Sequence, residues 1–316
     1  SLVDCDALPL ALIAQQCGDA PLYLVADVTD LSAMHDVVAQ TLAVHHRIDV
    51  VFANAGVAAF GPVAYVDPPA WQRCVEVNVF GVFNTVRSAL PALVQQRGYV
   101  LINASVSSFA HPPAMSAYAA SKSAVEAMGN VLRLELQAHQ VDVGVMYAGW
   151  VSTPLVAEGA LHPGFVRLRA TMPAFLNKET SAQDTARVIV QAMSKRQRRI
   201  FIPSWLRLLF ALRAWLHLPF AERELTGVTI LPKGTAAARA EWQPSEVPLP
   251  TYVNAPKAIQ PKRIIDLTEP GKWSDEQEAL ERAALAAAAP SRDEIFDQQL
   301  ADEAVERLRI NRAANQ

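Results

Sequence analysis

From Leu2 to about Pro203, short apolar runs rich in Val and Ile alternate with stretches whose apolar residues recur at helical spacing. Runs apolar on both faces belong to strands covered on both sides. The alternation therefore predicts an α/β fold, a doubly wound parallel sheet flanked by helices. The expected strands are Pro21–Ala26, Ile48–Ala53, Tyr99–Asn103, Val141–Tyr147 and Arg199–Pro203, with Leu2-Val3 as the end of another. Asp6 can cap a helix that ends at Gly18, and further helices are expected at Leu31–His45, Trp71 to about Gln95, and Tyr118 to about His139.

Ser204–Phe220 reads as one amphipathic helix. Trp205, Leu208, Leu209, Leu212, Trp215 and Leu216 share a face, with Arg207, Arg213 and His217 opposite. Such a face covers a core or meets a subunit; peripheral contact with a membrane is the other reading. Beyond Thr226 the periodicity lapses and prolines from Pro232 to Pro270 punctuate the chain, as in an extended linker. Ser274 with Gln277 and Ser291 with Glu294 fit capping boxes, so two helices are expected to follow. The organisation is thus a domain over 1–225, a linker over 226–273 and a partly helical tail over 274–316. Docking or oligomerisation is the plain reading of that tail.

Half of the residues are hydrophobic (51%) and 19% are charged, enough to bury a sizeable core, and the net charge of -3 offers nucleic acid no basic surface. Cys5, Cys17 and Cys74 lack metal-ligand spacing and suit reduced thiols in a cytoplasmic setting. The start at Ser1 lacks a signal peptide's basic-then-apolar layout.

Chemistry concentrates around SAYAASKSAVEAM. Tyr118 and Lys122 stand four apart, so a helix presents both on one face. A free tyrosine, with a pKa of about 10, is a poor base at neutral pH; a nearby ammonium favours the phenolate. Ser105 lies just past the Tyr99–Asn103 strand, at the carboxyl end where parallel sheets hold ligands, and could polarise a carbonyl. Asn78 sits inside a helical stretch where Asn is mildly unfavourable and, if structural, needs a buried partner. Asn54-Ala55-Gly56 ends a strand with a turn suited to close approach of a ligand.

Together these residues resemble the short-chain dehydrogenase/reductase family, whose Rossmann-like domain the match covers from about Leu2 to Pro203. The resemblance implies an NAD(P)-dependent oxidoreductase acting on CH-OH groups. In it, Tyr118 passes a proton to or from the substrate oxygen and Lys122 holds the nicotinamide ribose and lowers the tyrosine pKa. Ser105 binds the substrate oxygen, and Asn78 helps order a water. It also implies cofactor contacts at Asp27 and Val28 (adenine), Asn54, Ala55 and Gly56 (near the adenosine ribose), and Val151 and Thr153 (nicotinamide). Asp4, at the end of the Leu2-Val3 strand, favours NAD over NADP because a carboxylate there bonds ribose hydroxyls and repels a 2′-phosphate. A capping role for Asp4 or Asp6 is the alternative.

There are departures. Ala148-Gly149-Trp150 stands where the family usually has Pro-Gly, and none of the 13 glycines forms a T-G-x-x-x-G-x-G loop. The expectation is that the family's first strand and phosphate-binding turn are missing, that two inner sheet edges stay unpaired, and that the natural product is longer. The stretch Pro154–Thr180 holds Leu155, Val156, Leu161, Phe165, Met172 and Phe175 and points to an apolar alcohol or ketone as substrate. A homo-oligomer is the expected assembly. A catalytically lapsed binding or scaffold module on the same fold is the rival to an enzyme.

Overall fold

In the computed structural model the described residues are 1–17, 21–159, 165–166, 169–170, 172 and 176–218. The chain divides into two units, Ser1–Pro248 and Leu249–Gln316. All described residues belong to the first; the linker over 226–273 and the capping boxes at Ser274 and Ser291 lie outside them.

The strands are β1 (Leu2–Asp4), β2 (Tyr23–Val25), β3 (Val50–Ala53), β4 (Tyr99–Asn103), β5 (Asp142–Ala148) and β6 (Arg199–Ile202). All pair in parallel, as the apolar runs predict, but in two separate sheets: β1-β2, and β3-β4-β5-β6. Among the described residues β1 bonds only to β2, and β3 only to β4.

The four-stranded sheet carries the main core. Alternation along β4 sends Val100 and Ile102 to one face, where they meet Val86, Leu93 and Val125, and Tyr99 and Leu101 to the other, against Met146, Ala192 and Ile200. The helices behind them are α3 (Pro68–Val75), α4 (Val82–Gln96), α5 (Ser116–Glu135) and α7 (Ala182–Ser194), after α1 (Ala7–Gln16) and α2 (Leu31–His45) on the β1-β2 side and α6 (Pro154–Gly159) before α7. Their starts follow capping chemistry: Asp6, Asp30, Asp67 and Ser181 each accept a bond from a first-turn N–H. Gly144 is needed on β5 because the Tyr99 hydroxyl passes over it to donate to the Gln197 carbonyl (2.7 Å), and a Cβ there would overlap that hydroxyl.

Between α3 and α4 the turn Glu76–Gly81 is a π-helix, so Pro68–Gln96 runs as one helical body. It is long and apolar enough to cross a membrane, but more than half of its most apolar stretch is buried here as a core helix.

The expected continuous helix over 204–220 is not formed. Leu206–Ala211 is α8, and Arg213–His217 winds as a 3-10 helix. Anchors explain the switch, because Phe210, Arg213 and Leu216 recur every third residue, a spacing that a 3-10 helix eclipses and an α-helix does not. Phe210 packs on Phe109, Tyr147 and Phe201, while Arg213 Nη1 reaches Glu126 Oε1 at 2.7 Å. Arg213 and His217, expected on the outer polar face, remain exposed but make specific contacts, His217 stacking on His111 with ring centroids 5.0 Å apart. Residues 219 and 220 lie outside the described chain.

Candidate active site

The carboxyl ends of β3, β4 and β5 and the amino-terminal half of α5 bring the chemistry-bearing residues together. Ser105 follows β4 and caps the short 3-10 turn Val106–Ser108, accepting from Ser107 N at 3.1 Å. Its hydroxyl donates to the Ala148 carbonyl at 3.4 Å and lies close enough to the phenol of Tyr118 to favour the phenolate. Lys122, one turn along α5, is buried; its Nζ lies 5.6 Å from the Tyr118 ring centre and donates to the Asn103 carbonyl at 2.8 Å.

The electrostatics differ from the expectation that Lys122 draws the tyrosine pKa down. Burial is the largest influence and holds Tyr118 above its ordinary value of 10, with the Ser105 hydroxyl pulling the other way. Burial also brings Lys122 down to about 8, against a small opposing pull from Cys74. The phenolate loses more by leaving water than its neighbours return, which is the physical reason for the reversal.

Asn78 finds the buried partner it needs. Fully enclosed in the π-helical turn, it accepts from Val57 N (2.8 Å) and donates to Val57 O and Ser121 Oγ (both 2.9 Å), so it holds both backbone polar groups of Val57. Gly56 precedes that peptide, and a Cβ there would stand 3.2 Å from Asn78 Oδ1 and 3.4 Å from Lys122 Nζ. Asn54, Ala55 and Gly56 are exposed, Asn54 Oδ1 accepting from Asn103 Nδ2 at 2.9 Å. Thr153 Oγ1 donates to the Val151 carbonyl at 3.2 Å.

The Asp27-Val28 turn sits on β2 and is tied to the long helix by residues sequence reading missed. Arg73 Nη2 meets Asp27 Oδ2 at 2.8 Å, Asn84 Nδ2 donates to the carbonyls of Val28 and Thr29, and Gly81 leaves room for the Val28 side chain. Burial opposes ionisation of Asp27, but the bonds from Thr29 and Arg73 outweigh it and hold its carboxyl below the usual range. Asp6, not Asp4, caps α1; Asp4 is exposed at the end of β1 and accepts from Asp6 N at 3.0 Å. An in-helix Asn such as Asn84 was the one available signal for this clamp.

Ser105 and Tyr118 border a cavity of about 640 Å³. Its remaining wall is mostly apolar: Phe60, Met115 and Trp150, with Leu155, Val156, Phe165 and Met172 from the expected lid and Leu206, Leu209 and Leu216 from the last segment. Lys178, His111 and His217 add polar points. Leu161 and Phe175 fall outside the described residues. No group of three metal-ligating side chains occurs among the described residues.

Comparison with known proteins agrees with this geometry. The chain is 32% identical over 136 residues to dehydrogenase/reductase SDR family member 7B of Bos taurus, covering 43% of this chain and 42% of that protein. It is 30% identical over 164 residues to an uncharacterized NAD-dependent oxidoreductase of Mycobacterium tuberculosis, covering 49% and 60%. The chain thus spans about half the length of these curated relatives. Among solved structures, a short chain dehydrogenase/reductase from Burkholderia phymatum in complex with NAD shares the fold with a TM-score of 0.59 and 23% identity, over 71% of this chain and 85% of that one. Residues 2–162, half of the chain, match the short chain dehydrogenase family, and to that family the chain belongs.

Proposed function

We propose that the protein is an oxidoreductase that moves hydride between NAD and an apolar alcohol or ketone, with Tyr118 as its acid/base. The observation that carries this reading is the pairing of the Ser105 and Tyr118 hydroxyls at the edge of an otherwise apolar cavity of about 640 Å³, with Lys122 one helical turn behind. The intact group is what favours an enzyme over a lapsed binding module.

The residues present fit a nicotinamide cofactor. The turn at Gly56 leaves open the space beside Asn78 and Lys122 that a Cβ would take, so the strand end can receive a ligand against the lysine. Lys122 would hold the nicotinamide ribose, Val151 and Thr153 would border the ring, and Asn54, Ala55 and Gly56 would line the adenosine ribose. Asp27 and Val28 would shape the adenine turn. Asp4, exposed with a second carboxylate oxygen open, favours NAD over NADP. A bound nicotinamide supplies the hydride donor or acceptor.

The chain's own part is proton handling and placement. Held above its ordinary value, Tyr118 stays protonated at neutral pH and can give its proton to a substrate carbonyl oxygen; in the reverse direction it is the phenolate form that takes the proton of the alcohol. The Ser105 hydroxyl holds the same oxygen and fixes its distance from the phenol. Asn78 acts through structure, keeping the Val57 peptide and Ser121 in place beneath the pair.

The test is nicotinamide-linked turnover of alicyclic and long-chain secondary alcohols beside polyols, with NAD and NADP. The apolar alcohols should give kcat/KM at least about tenfold higher, and Ser105→Ala should lower it by about 10². Equal turnover of polyols would overturn the substrate class; unchanged activity in Ser105→Ala would overturn the assignment of the site.

A further inference from the structure

The segment that closes the cavity, Trp205–Leu218, shows apolar side chains on two opposite sides. Leu206 is buried, and Leu209 and Leu216 line the cavity. Leu208, Leu212 and Trp215 face solvent at 67%, 46% and 61% exposure, and Leu218 is exposed beside them. One short segment thus presents side chains both to the cavity and to solvent. It is also pinned: Arg213 bonds Glu126 on α5, and His217 stacks on His111. The exposed apolar ridge therefore belongs to a fixed element.

The charge around the ridge has one sign. Lys195, Arg196, Arg198, Arg199, Arg207 and Arg213 fall between Lys195 and Leu218, and that stretch contains no Asp or Glu, in a chain whose net charge is -3. Arg199 and Arg213 flank the Phe210 ring, their guanidinium carbons 5.1 and 4.5 Å from its centre. Burial first, then the charges of Arg198 and Arg199, hold Arg133 on α5 below its ordinary value, so the positive potential extends onto that helix. The acidic groups in reach are engaged, Glu126 with Arg213 and Asp142 with Arg196. An apolar ridge bearing an exposed Trp and bordered by Arg198, Arg199 and Arg207, which have no ion-pair partner among the described residues, matches the interface of an anionic bilayer, where tryptophan seats at headgroup depth and arginines meet lipid phosphates.

We propose that this segment docks on an anionic lipid surface through Leu208, Leu212, Trp215 and Leu218, and that membrane-dissolved apolar substrate enters the cavity past it. Docking stands on the surface alone; the delivery of substrate rests on the oxidoreductase reading above.

The experiment mixes the full chain with vesicles of phosphatidylcholine alone or with about a third phosphatidylglycerol, reading binding by flotation. A variant carrying Leu208→Ser, Leu212→Ser and Trp215→Ser changes only solvent-facing side chains and should keep the parent's thermal unfolding and NAD affinity. The parent should bind anionic vesicles at least about tenfold more tightly than neutral ones, lose that preference at high salt, and bind at least about tenfold more tightly than the variant. Brominated lipid should quench the parent's tryptophan emission more than that of Trp215→Phe, a readout that serves even if the triple variant unfolds. Three results would overturn the proposal: no binding of the parent to anionic vesicles, equal binding by a folded triple variant, or a parent dimer that the triple variant dissolves while neither protein binds lipid. Vesicle binding without alcohol turnover would sustain docking and sink the oxidoreductase reading; turnover of dissolved substrate without vesicle binding would do the reverse.

Discussion

The two sheets support the candidate site in different ways. The four-stranded sheet places Ser105, Tyr118 and Lys122 on elements whose backs are fully buried, with β4 enclosed on both faces and the Lys122 amine and Asn78 amide each bonded to backbone. The β1-β2 sheet is three residues deep, leaves Tyr23 and Val25 exposed, and shows Asp4 to solvent. It is tied to the long helix by the Arg73–Asp27 pair, by Asn84 and by packing of Gly81 on Val28. The proposed proton chemistry thus rests on the rigid half, while the residues that would select the cofactor rest on a half held by few contacts, where local opening should be easier.

The largest effect should come from the buried amine in the rigid half. Lys122 has a folded value near 8 against an ordinary 10.5, so the folded state holds fewer protons than the unfolded state between those pH values. Burial of the charged amine costs stability below about pH 8, and the cost is relieved as pH rises toward 10.5. Replacing the amine by Lys122→Met should therefore change stability relative to the parent by on the order of 3 kcal/mol between pH 7 and 10.5, the advantage of Met shrinking with pH. Urea unfolding of both proteins across that range checks it; a pH-independent difference would mean that the amine is not held low.

Next in size is an insult to the β4–β5 contact. Gly144→Ala forces the Tyr99 hydroxyl off the Gln197 carbonyl and should cost about 2 kcal/mol of global stability. The matching insult to the looser half, Asn84→Ala, strips two carbonyls of a buried donor and should cost about 1 kcal/mol. Hydrogen exchange distinguishes the two regions: Asn84→Ala should speed exchange at β2 and the Asp27-Val28 turn and leave β4 and β5 as in the parent. Uniform acceleration across both sheets would mean that they open as one unit.

Periodicity and spacing made much of the rigid half legible. Strand β4 reads as an unbroken apolar run, and Tyr118, Lys122 and Ser105 fall where a strand end and a helix face put them. Helix α7 was not read, although Ser181 and Asp184 form its cap, because the apolar lid before it masks the change of pattern. The break at Leu212 was also missed. It depends on Arg213 finding Glu126, 87 positions away, and on Phe210 entering an aromatic cluster, and neither partner is visible in local periodicity. Likewise the neighbourhood of Asp27 shows Thr29 but not Arg73, 46 positions on, and the two together hold its carboxyl down.

The central claim is that Tyr118 moves the proton. Tyr118→Phe removes one hydroxyl and leaves Lys122, Gly56 and the cavity wall in place, so NAD affinity by calorimetric titration should match the parent, while kcat on any accepted alcohol or ketone should fall by 10² to 10⁴. A variant that binds NAD as the parent does and keeps more than about a third of its kcat would contradict the account.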